Sequence, residues 1–356
     1  MSGAEKDSKS APHFHSTLNM EEPDTEHETW FPPLSQSLSI TLCRRMTTGE
    51  REIITAPLLE EAGHQVIQVG DEVLTPSADG VLWILGNANW FPKTCRRLSA
   101  VPKPERPLVV LWHYEPLPPP SASGLPWPRL NKLEIAKILL RDRRASDVYS
   151  NYWRLRRLVQ KGLPNVLTVS TPGRQEFLSE RGITSHHVPL GHDPFYGHDM
   201  GLIRDIDVLF LGDLRIPRRK RLIKRLRRNG VTLEAVGSWF DPTFWGENRT
   251  RLLNRTRVLL NIQRYPGELS GSRLILALAN KALPISEPMY SPAPYVPGKH
   301  FVSATIEEMP EAIEYYLTHN EERKRIVDEG HRLVTQKVTM KRSISRILEL
   351  IGEHIG

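Results

Sequence analysis

DVLFLGDLRIPRRKRLIKRLRRNGVTLEAVG, residues 207–237, decides the fold. It opens on an apolar run, and Gly212 follows at once. From Ile216 to Asn229 the apolar residues Leu222, Ile223 and Leu226 recur at helical spacing. Gly230 stops that stretch, and Val231–Val236 is apolar again, ending at Gly237. The spacing predicts a strand at Asp207–Leu211, a helix at Ile216–Asn229 and a strand at Val231–Val236. Strand, helix and strand in this order make a parallel pair with a helical crossover.

The alternation continues in both directions. Downstream come a helix at Phe244–Arg255, a strand at Arg257–Ile262 and a helix at Ser272–Asn280. Short strands at Ala282–Ser286 and His300–Ser303, a helix at Ile306–His319 and two further helical stretches complete that half. Upstream, strands are expected at Ser37–Leu42, Gln65–Val69, Gly80–Leu85, Pro107–Trp112 and Val166–Ser170. Helices are expected at Gly49–Ala62 and Pro172–Arg181, with a basic helical region over Leu130–Lys161. HVPLGHD, residues 187–193, followed by Pro194, reads as a hinge. The expected fold is therefore α/β, with two doubly wound Rossmann-like domains facing across a cleft. Residues 1–35 form a disordered tail, 36–195 the first domain and 196–340 the second. Residues 341–356 form a C-terminal helix that packs back on the first domain. Ligands of such sheets bind beyond the carboxyl ends of the strands, so chemistry is sought in the loops there.

Charge narrows the partner. The 356 residues carry a formal charge of +7, but residues 1–35 hold seven acidic and two basic residues, so the body is more basic still. A basic body suits an anion: a nucleotide, a polyphosphate, a nucleic acid or a membrane surface. No apolar run approaches the roughly 18 residues of a membrane-spanning helix, and the N-terminus lacks the apolar core of a secretory signal. The expected location is the cytoplasm. Cys43 and Cys95 stand alone, without metal-type spacing.

Two loops carry the strongest candidates. The first runs from Gly212 through Asp213 to Arg215, Arg218, Arg219 and Lys220, a tight turn into a helix start with cations around it, which suits a phosphate. A solvated basic helix is the alternative. The second is RYPGELSGSR, residues 264–273, which leads from a strand into a helix. Its small residues Gly267, Ser270, Gly271 and Ser272 let a ligand approach the backbone. Arg273 sits in the first helical turn, where the helix dipole disfavours a cation unless an anion binds beside it. Tyr265, Glu268 and Glu287 stand at the same strand ends. A carboxylate there could accept hydrogen bonds from ribose or sugar hydroxyls, or serve as a cap.

The second half resembles the C-terminal domain of GT-B glycosyltransferases of the group 1 type, and more closely the CgeB-like subset. The resemblance rests on residues 207–237, on RVLLNIQRYPGELSGSRLILALANKALPISE (257–287) and on GKHFVSATIEEMPEAIEYYLTHNEERKRIVDEG (298–330). It implies a metal-independent transferase that moves a sugar from a nucleotide-sugar donor to a glycan, lipid or protein acceptor. The donor itself is the bound nucleotide, and no cofactor or metal is implied. It places the loop at Gly212 and the loop before Arg273 against the donor diphosphate and Gly237 near the base; with the residues read above, the expected donor site comprises Gly212, Asp213, Arg218, Lys220, Gly237, Tyr265, Glu268, Ser270, Gly271, Ser272, Arg273 and Glu287. Many group 1 transferases carry two glutamates separated by seven intervening residues. Glu268 matches the first, Leu276 stands at the second, and Lys281 stands near a usual glycine.

The first half would bind the acceptor. His113 and Glu115 follow a strand end, and histidine has the pKa range of a general base, which makes them the candidate catalytic pair. Asn87, Asn89 and Trp90 are candidate acceptor contacts. His186, His187, His192 and Asp193 look like metal ligands but fall in the interdomain segment. The basic stretch Ile135–Gly162, with Tyr152 and Trp153, is a candidate for peripheral contact at the inner membrane surface or a cover for the first sheet. Two other readings stay open. One is a non-catalytic GT-B binding or assembly module. The other is a nucleic-acid-binding protein acting through Arg215–Arg228, which no aromatic interleaving supports.

Overall fold

The protein is described by a computed structural model covering residues 37–45, 50–71, 78–126, 132–140, 147–237, 241–269 and 271–355. The N-terminal tail and Ser270 lie outside the described residues. In chain order the first half contains β1 (Ser39–Cys43), α1 (Glu50–Glu61), β2 (Gln65–Val69), β3 (Val81–Gly86), α2 (Pro92–Ala100), β4 (Leu108–His113), α3 (Lys132–Leu139), α4 (Asp147–Gln160), β5 (Val166–Val169), α5 (Pro172–Ser179) and β6 (His186–His187). The second half contains β7 (Ile206–Leu211), α6 (Pro217–Arg228), β8 (Glu234–Val236), α7 (Gly246–Asn254), β9 (Thr256–Asn261), α8 (Gly271–Ala279), β10 (Leu283–Ser286), β11 (Val302–Ser303), α9 (Met309–Thr318), α10 (Asn320–Arg332) and α11 (Met340–Ile355).

The strands form two parallel sheets, ordered β2-β1-β3-β4-β5-β6 and β11-β10-β9-β7-β8. β3 is buried at all six positions, as a central strand covered by helices on both faces must be. In each sheet the chain goes first to one side and then to the other. The order reverses between β1 and β3 in the first sheet, and between β7 and β9 in the second. Crevices for ligands open at such reversals.

Three local departures from the expected elements have physical causes. β8 is shorter than the apolar run Val231–Val236, because the Val231 amide donates to the Leu226 carbonyl (3.1 Å) and caps α6 instead of pairing. The basic region 130–161 contains two helices, α3 and α4. α2 was not expected. It opens on Pro92, and Asp71 accepts the Lys93 and Thr94 amides at 3.0 Å, supplying the N-terminal cap from a distant turn.

α11 lies on the first sheet. Ile344, Ile347, Leu348 and Ile351 fall at one-face spacing, are fully buried, and share a core with Ile40, Leu42, Leu59 and Trp83. Each such side chain contributes about 1.5–3 kcal/mol on burial. The chain crosses itself to get there. His192 donates its amide to the Val338 carbonyl (2.7 Å) and accepts from the Met340 amide (2.8 Å), while Ser343 Oγ donates to the Pro189 carbonyl (2.7 Å). At Gly191 a Cβ atom would lie 2.1 Å from the Thr339 carbonyl carbon. Backbone on both sides leaves nothing flexible to yield. Gly191→Ala should therefore destabilise the protein by about 1–3 kcal/mol, read as a lowered urea midpoint. An unchanged midpoint would show that the crossing can open without loss.

Candidate functional site

β7 and β9 end side by side, and the loops beyond them build a cationic cradle. A Cβ on Gly212 would come within 3.0 Å of the Phe210 ring and 3.3 Å of an Arg273 nitrogen. Gly237, at the end of β8, has φ +112°, and a Cβ there would press to 3.0 Å on the Gly212 amide nitrogen. The two glycines thus keep the floor free of side chains.

Two guanidiniums hang over that floor. Arg219 from α6 donates Nε–H to the Ile262 carbonyl (3.0 Å). Arg273 from the first turn of α8 donates to Asn261 Oδ1 (2.6 Å) and to the Ile262 carbonyl (3.3 Å). Both lie near the Phe210 ring, at 5.9 and 5.7 Å from its centroid. Burial, and then the Arg219 charge, pushes Arg273 down to about 9; burial also lowers Arg219. Both remain charged at neutral pH. Among the described residues their hydrogen-bond acceptors are neutral oxygens, so an anion entering the cradle would meet two desolvated cations and the start of α8.

Arg218 and Glu287 serve differently from expectation. Arg218 donates to both carboxylate oxygens of Glu287, at 2.8 and 2.5 Å, and to the Gln263 carbonyl (2.8 Å). Glu287 Oε2 also accepts the Gln263 amide (2.8 Å). The pair neutralises itself and fixes the loop after β9. Arg219, named among the cations of the first loop but left out of the expected donor set, does face the cradle. Its signal was present: Arg219, Ile223 and Leu226 share the i, i+4, i+7 stripe, so Arg219 is buried with the apolar face. Asp213 folds back on Arg215, accepting its amide (2.9 Å) and its guanidinium (2.9 and 2.6 Å). Lys220 is exposed. Gly271 and Ser272 form the first turn of α8.

Tyr265 and Glu268 face the first half. The Tyr265 hydroxyl donates to Asp147 Oδ1 (3.0 Å), and Glu268 lies 3.5 Å from Arg174. Burial raises the Glu268 carboxyl despite the cations around it. Beside this loop runs a narrow cleft of about 60 Å³ between the halves, walled by Pro118, Pro120, Leu125 and Tyr290, with Arg174 and Glu268 among its polar lining.

His113 departs from its expected role. It ends β4 opposite Gly86 and is fully buried, with only the Glu115 backbone close to its ring. Burial first, and then Arg174, push it down to about 3. Such an imidazole stays neutral and is too weak a base to deprotonate an acceptor at pH 7. Glu115, two residues on, is partly exposed. Asn87 and Asn89 also turn inward: both donate to Asn151 of α4 (2.6 and 3.2 Å). Trp90 packs edge-on against Tyr114 under the Arg45 guanidinium. His192 sits 3.0 Å from the Gly197 carbonyl, and among the described residues no three His, Cys, Asp or Glu side chains are grouped to hold a metal.

His113 has a measurable consequence. Its pKa is near 6.5 unfolded and about 3 folded, so the unfolded chain takes the proton first. Its contribution to stability is intact above pH 6.5 and falls as pH drops from 6.5 toward 3. His113→Leu should flatten that limb by up to about 1.4 kcal/mol per pH unit in urea titrations. A limb as steep as in wild type would mean that His113 is not held neutral.

Residues 218–349 match a family described as glycosyl transferase-like. No curated protein matches the chain in sequence. Among solved structures, HepE (Alr3699) from Anabaena, solved with UDP and glucose, is 10% identical with a TM-score of 0.58, over 89% of this chain and all of that one. TarM from S. aureus is 13% identical with a TM-score of 0.53 over 77% of this chain, which spans only 55% of the TarM chain. AviGT4, a glycosyltransferase involved in avilamycin A biosynthesis, is 12% identical with a TM-score of 0.51, over 89% and 97% of the two chains. The second half thus contains a glycosyl transferase-like segment, and the two sheets together have the GT-B fold.

Proposed function

We propose that this chain is a nucleotide-sugar glycosyltransferase whose donor diphosphate lies between Arg219 and Arg273. The observation that carries the reading is the pair of buried guanidiniums with neutral acceptors over a glycine floor, at the order reversal of a GT-B second sheet. In the transfer, the bond from the anomeric carbon to the diphosphate breaks and charge develops on the leaving oxygen. Arg219, Arg273 and the α8 amides would stabilise that charge. These fixed cations are what supports a reaction needing no bound metal. Glu268, beside them, is in reach of the sugar-bearing side. The acceptor would enter from the first half through the cleft, and Glu115 is the remaining candidate base. Arg273 at the start of α8, with Leu276 where a second glutamate would stand, supports the CgeB-like subset over other group 1 transferases.

HepE is solved with UDP, which makes UDP the first ligand to try. In titration calorimetry Arg219→Ala and Arg273→Ala should each weaken UDP binding by about 1.5–3 kcal/mol, the worth of a charge-assisted hydrogen bond. Arg273→Lys should restore binding only in part, because an ammonium lacks the planar fork. Alanine variants that bind UDP as tightly as wild type would sink the assignment.

No described helix is long and apolar enough to cross a membrane. Peripheral contact, if made, would use α3 rather than the tyrosine–tryptophan stretch of α4. Val148, Leu155 and Leu158 of α4 are buried, and Tyr152 packs edge-on against Phe177 (5.0 Å). α3 instead exposes Leu133, Ile135 and Leu139, with Leu140 just beyond, and Lys132 among them. Apolar side chains interleaved with cations suit an anionic lipid surface. Leu139→Ser/Leu140→Ser should abolish flotation with vesicles rich in phosphatidylserine. Equal recovery of wild type with neutral vesicles would argue against an anionic surface.

A further inference from the structure

The loop from β9 to α8 is shaped largely by the other half of the molecule. Arg264 donates to Asp147 Oδ2 (2.7 Å) and Tyr265 to Asp147 Oδ1 (3.0 Å), so the first residue of α4 holds two consecutive loop residues with its two oxygens. Glu268 lies 3.5 Å from Arg174 of α5. Gly267 has φ +73°, and Leu125 of the first half stands 2.1 Å from where its Cβ would be. The Gly267 carbonyl accepts the Tyr290 amide (2.9 Å), and the Tyr290 hydroxyl reaches both Glu176 oxygens (3.0 and 2.8 Å). Four residues of the first half, Leu125, Asp147, Arg174 and Glu176, thus bear on a five-residue loop and its neighbour.

Arg174 is itself fixed. One nitrogen donates to the Tyr114 carbonyl (3.0 Å) and to Ser170 Oγ (2.5 Å), and Thr171 caps the helix it stands on. It is 9% exposed. A guanidinium held this way presents its other nitrogen in one direction, toward Glu268. Asp147 is likewise fixed by its place at the start of α4 and faces two donors from across the cleft.

We infer that Asp147 and Arg174 are positioning residues for the transfer: they set Arg264, Tyr265 and Glu268 beside the Arg219–Arg273 cradle, so the donor is fully gripped only when the two halves are together. The inference rests on the donor reading above and adds the source of the loop's shape. A loop of five residues that includes a glycine has several conformations available, and selecting one costs entropy. The first half supplies that selection before the donor arrives. A loop ordered only part of the time would weaken donor binding in proportion to the fraction lost.

Two measurements test it. The first is UDP calorimetry on Asp147→Asn and Arg174→Gln, isosteric or near-isosteric changes that touch neither cradle arginine. Each should weaken UDP binding at least fivefold, and Arg174→Lys should recover part of the loss. The second follows the Glu268 carboxyl by carbon NMR in protein labelled at glutamate side chains, assigned with Glu268→Gln. Charged groups facing Glu268 are Arg174 from α5, Asp147 from α4, Arg219 from α6, Arg273 from α8 and Arg264 of its own loop. Arg174 is the largest of the influences that lower it, so Arg174→Gln should move its titration to higher pH, and Arg174→Lys should move it back. A merely structural arginine would lower the melting temperature and leave that titration alone. UDP affinity within twofold of wild type in both variants, or a Glu268 titration unmoved by Arg174→Gln, would overturn the inference. Wild type failing to bind UDP would instead count against the nucleotide reading, and the titration would then decide the inference by itself.

Discussion

Two desolvated like charges above one aromatic ring are the feature on which the rest of the second half turns. Removing a guanidinium from water costs several kcal/mol unless its protons are satisfied and its charge is balanced. Arg219 and Arg273 have their protons partly satisfied by Asn261 and the Ile262 carbonyl. Their charge is balanced only at a distance, by Glu268, Asp213 and Glu287. The fold maintains the arrangement by rigid means. α6 and α8 are anchored by Ile223, Leu226, Leu274 and Leu278, each almost fully buried, so neither arginine can leave without moving a helix. The cost is held in place by the core, and a polyanion is the kind of ligand that would offset it.

The neighbouring pair shows how the same residue type, one position along, can be neutralised instead. Arg218 and Arg219 are about 100° apart around α6. Arg218 meets Glu287 and locks the segment after β9; among the described residues Arg219 donates to a carbonyl and to no carboxylate. The first makes the loop rigid and the second leaves charge to spend. Replacing Glu287 by a neutral residue would therefore add a third unbalanced cation to the site rather than remove one hydrogen bond.

Much of the architecture was legible in the sequence because both kinds of period were clear. Apolar strands ending in glycine, and helices stopped by glycine, give the alternation of both sheets and the loops at β7 and β9. The site was less legible wherever a role depends on which way a side chain turns. Arg218 and Lys220 looked equivalent to Arg219, and only the i, i+4, i+7 stripe separates them. His113 follows a strand end, which suggests access, yet the end of β4 lies inside the sheet and its imidazole is buried. Asn87 and Asn89 are polar residues after a strand, but their amides clamp α4. Asp147 was invisible as a site residue, because its partners are 117 and 118 positions away and local pattern carries no such information.

Long-range pairs also explain why the acids and bases are divided between the halves as they are. The loop 264–268 contributes Arg264 and Glu268, and the first half answers each with the opposite charge, Asp147 and Arg174. Had the loop been neutralised from within its own half, it would keep one charge state whether or not the halves met. With the partners across the cleft, separation would leave both Arg264 and Glu268 without their counter-charges. With the halves together Arg264 is paired, and Arg219 and Arg273 are the cations of the cradle that meet neutral oxygens. Discrimination is then concentrated on two fixed, buried guanidiniums, where the lower dielectric makes each contact count for more.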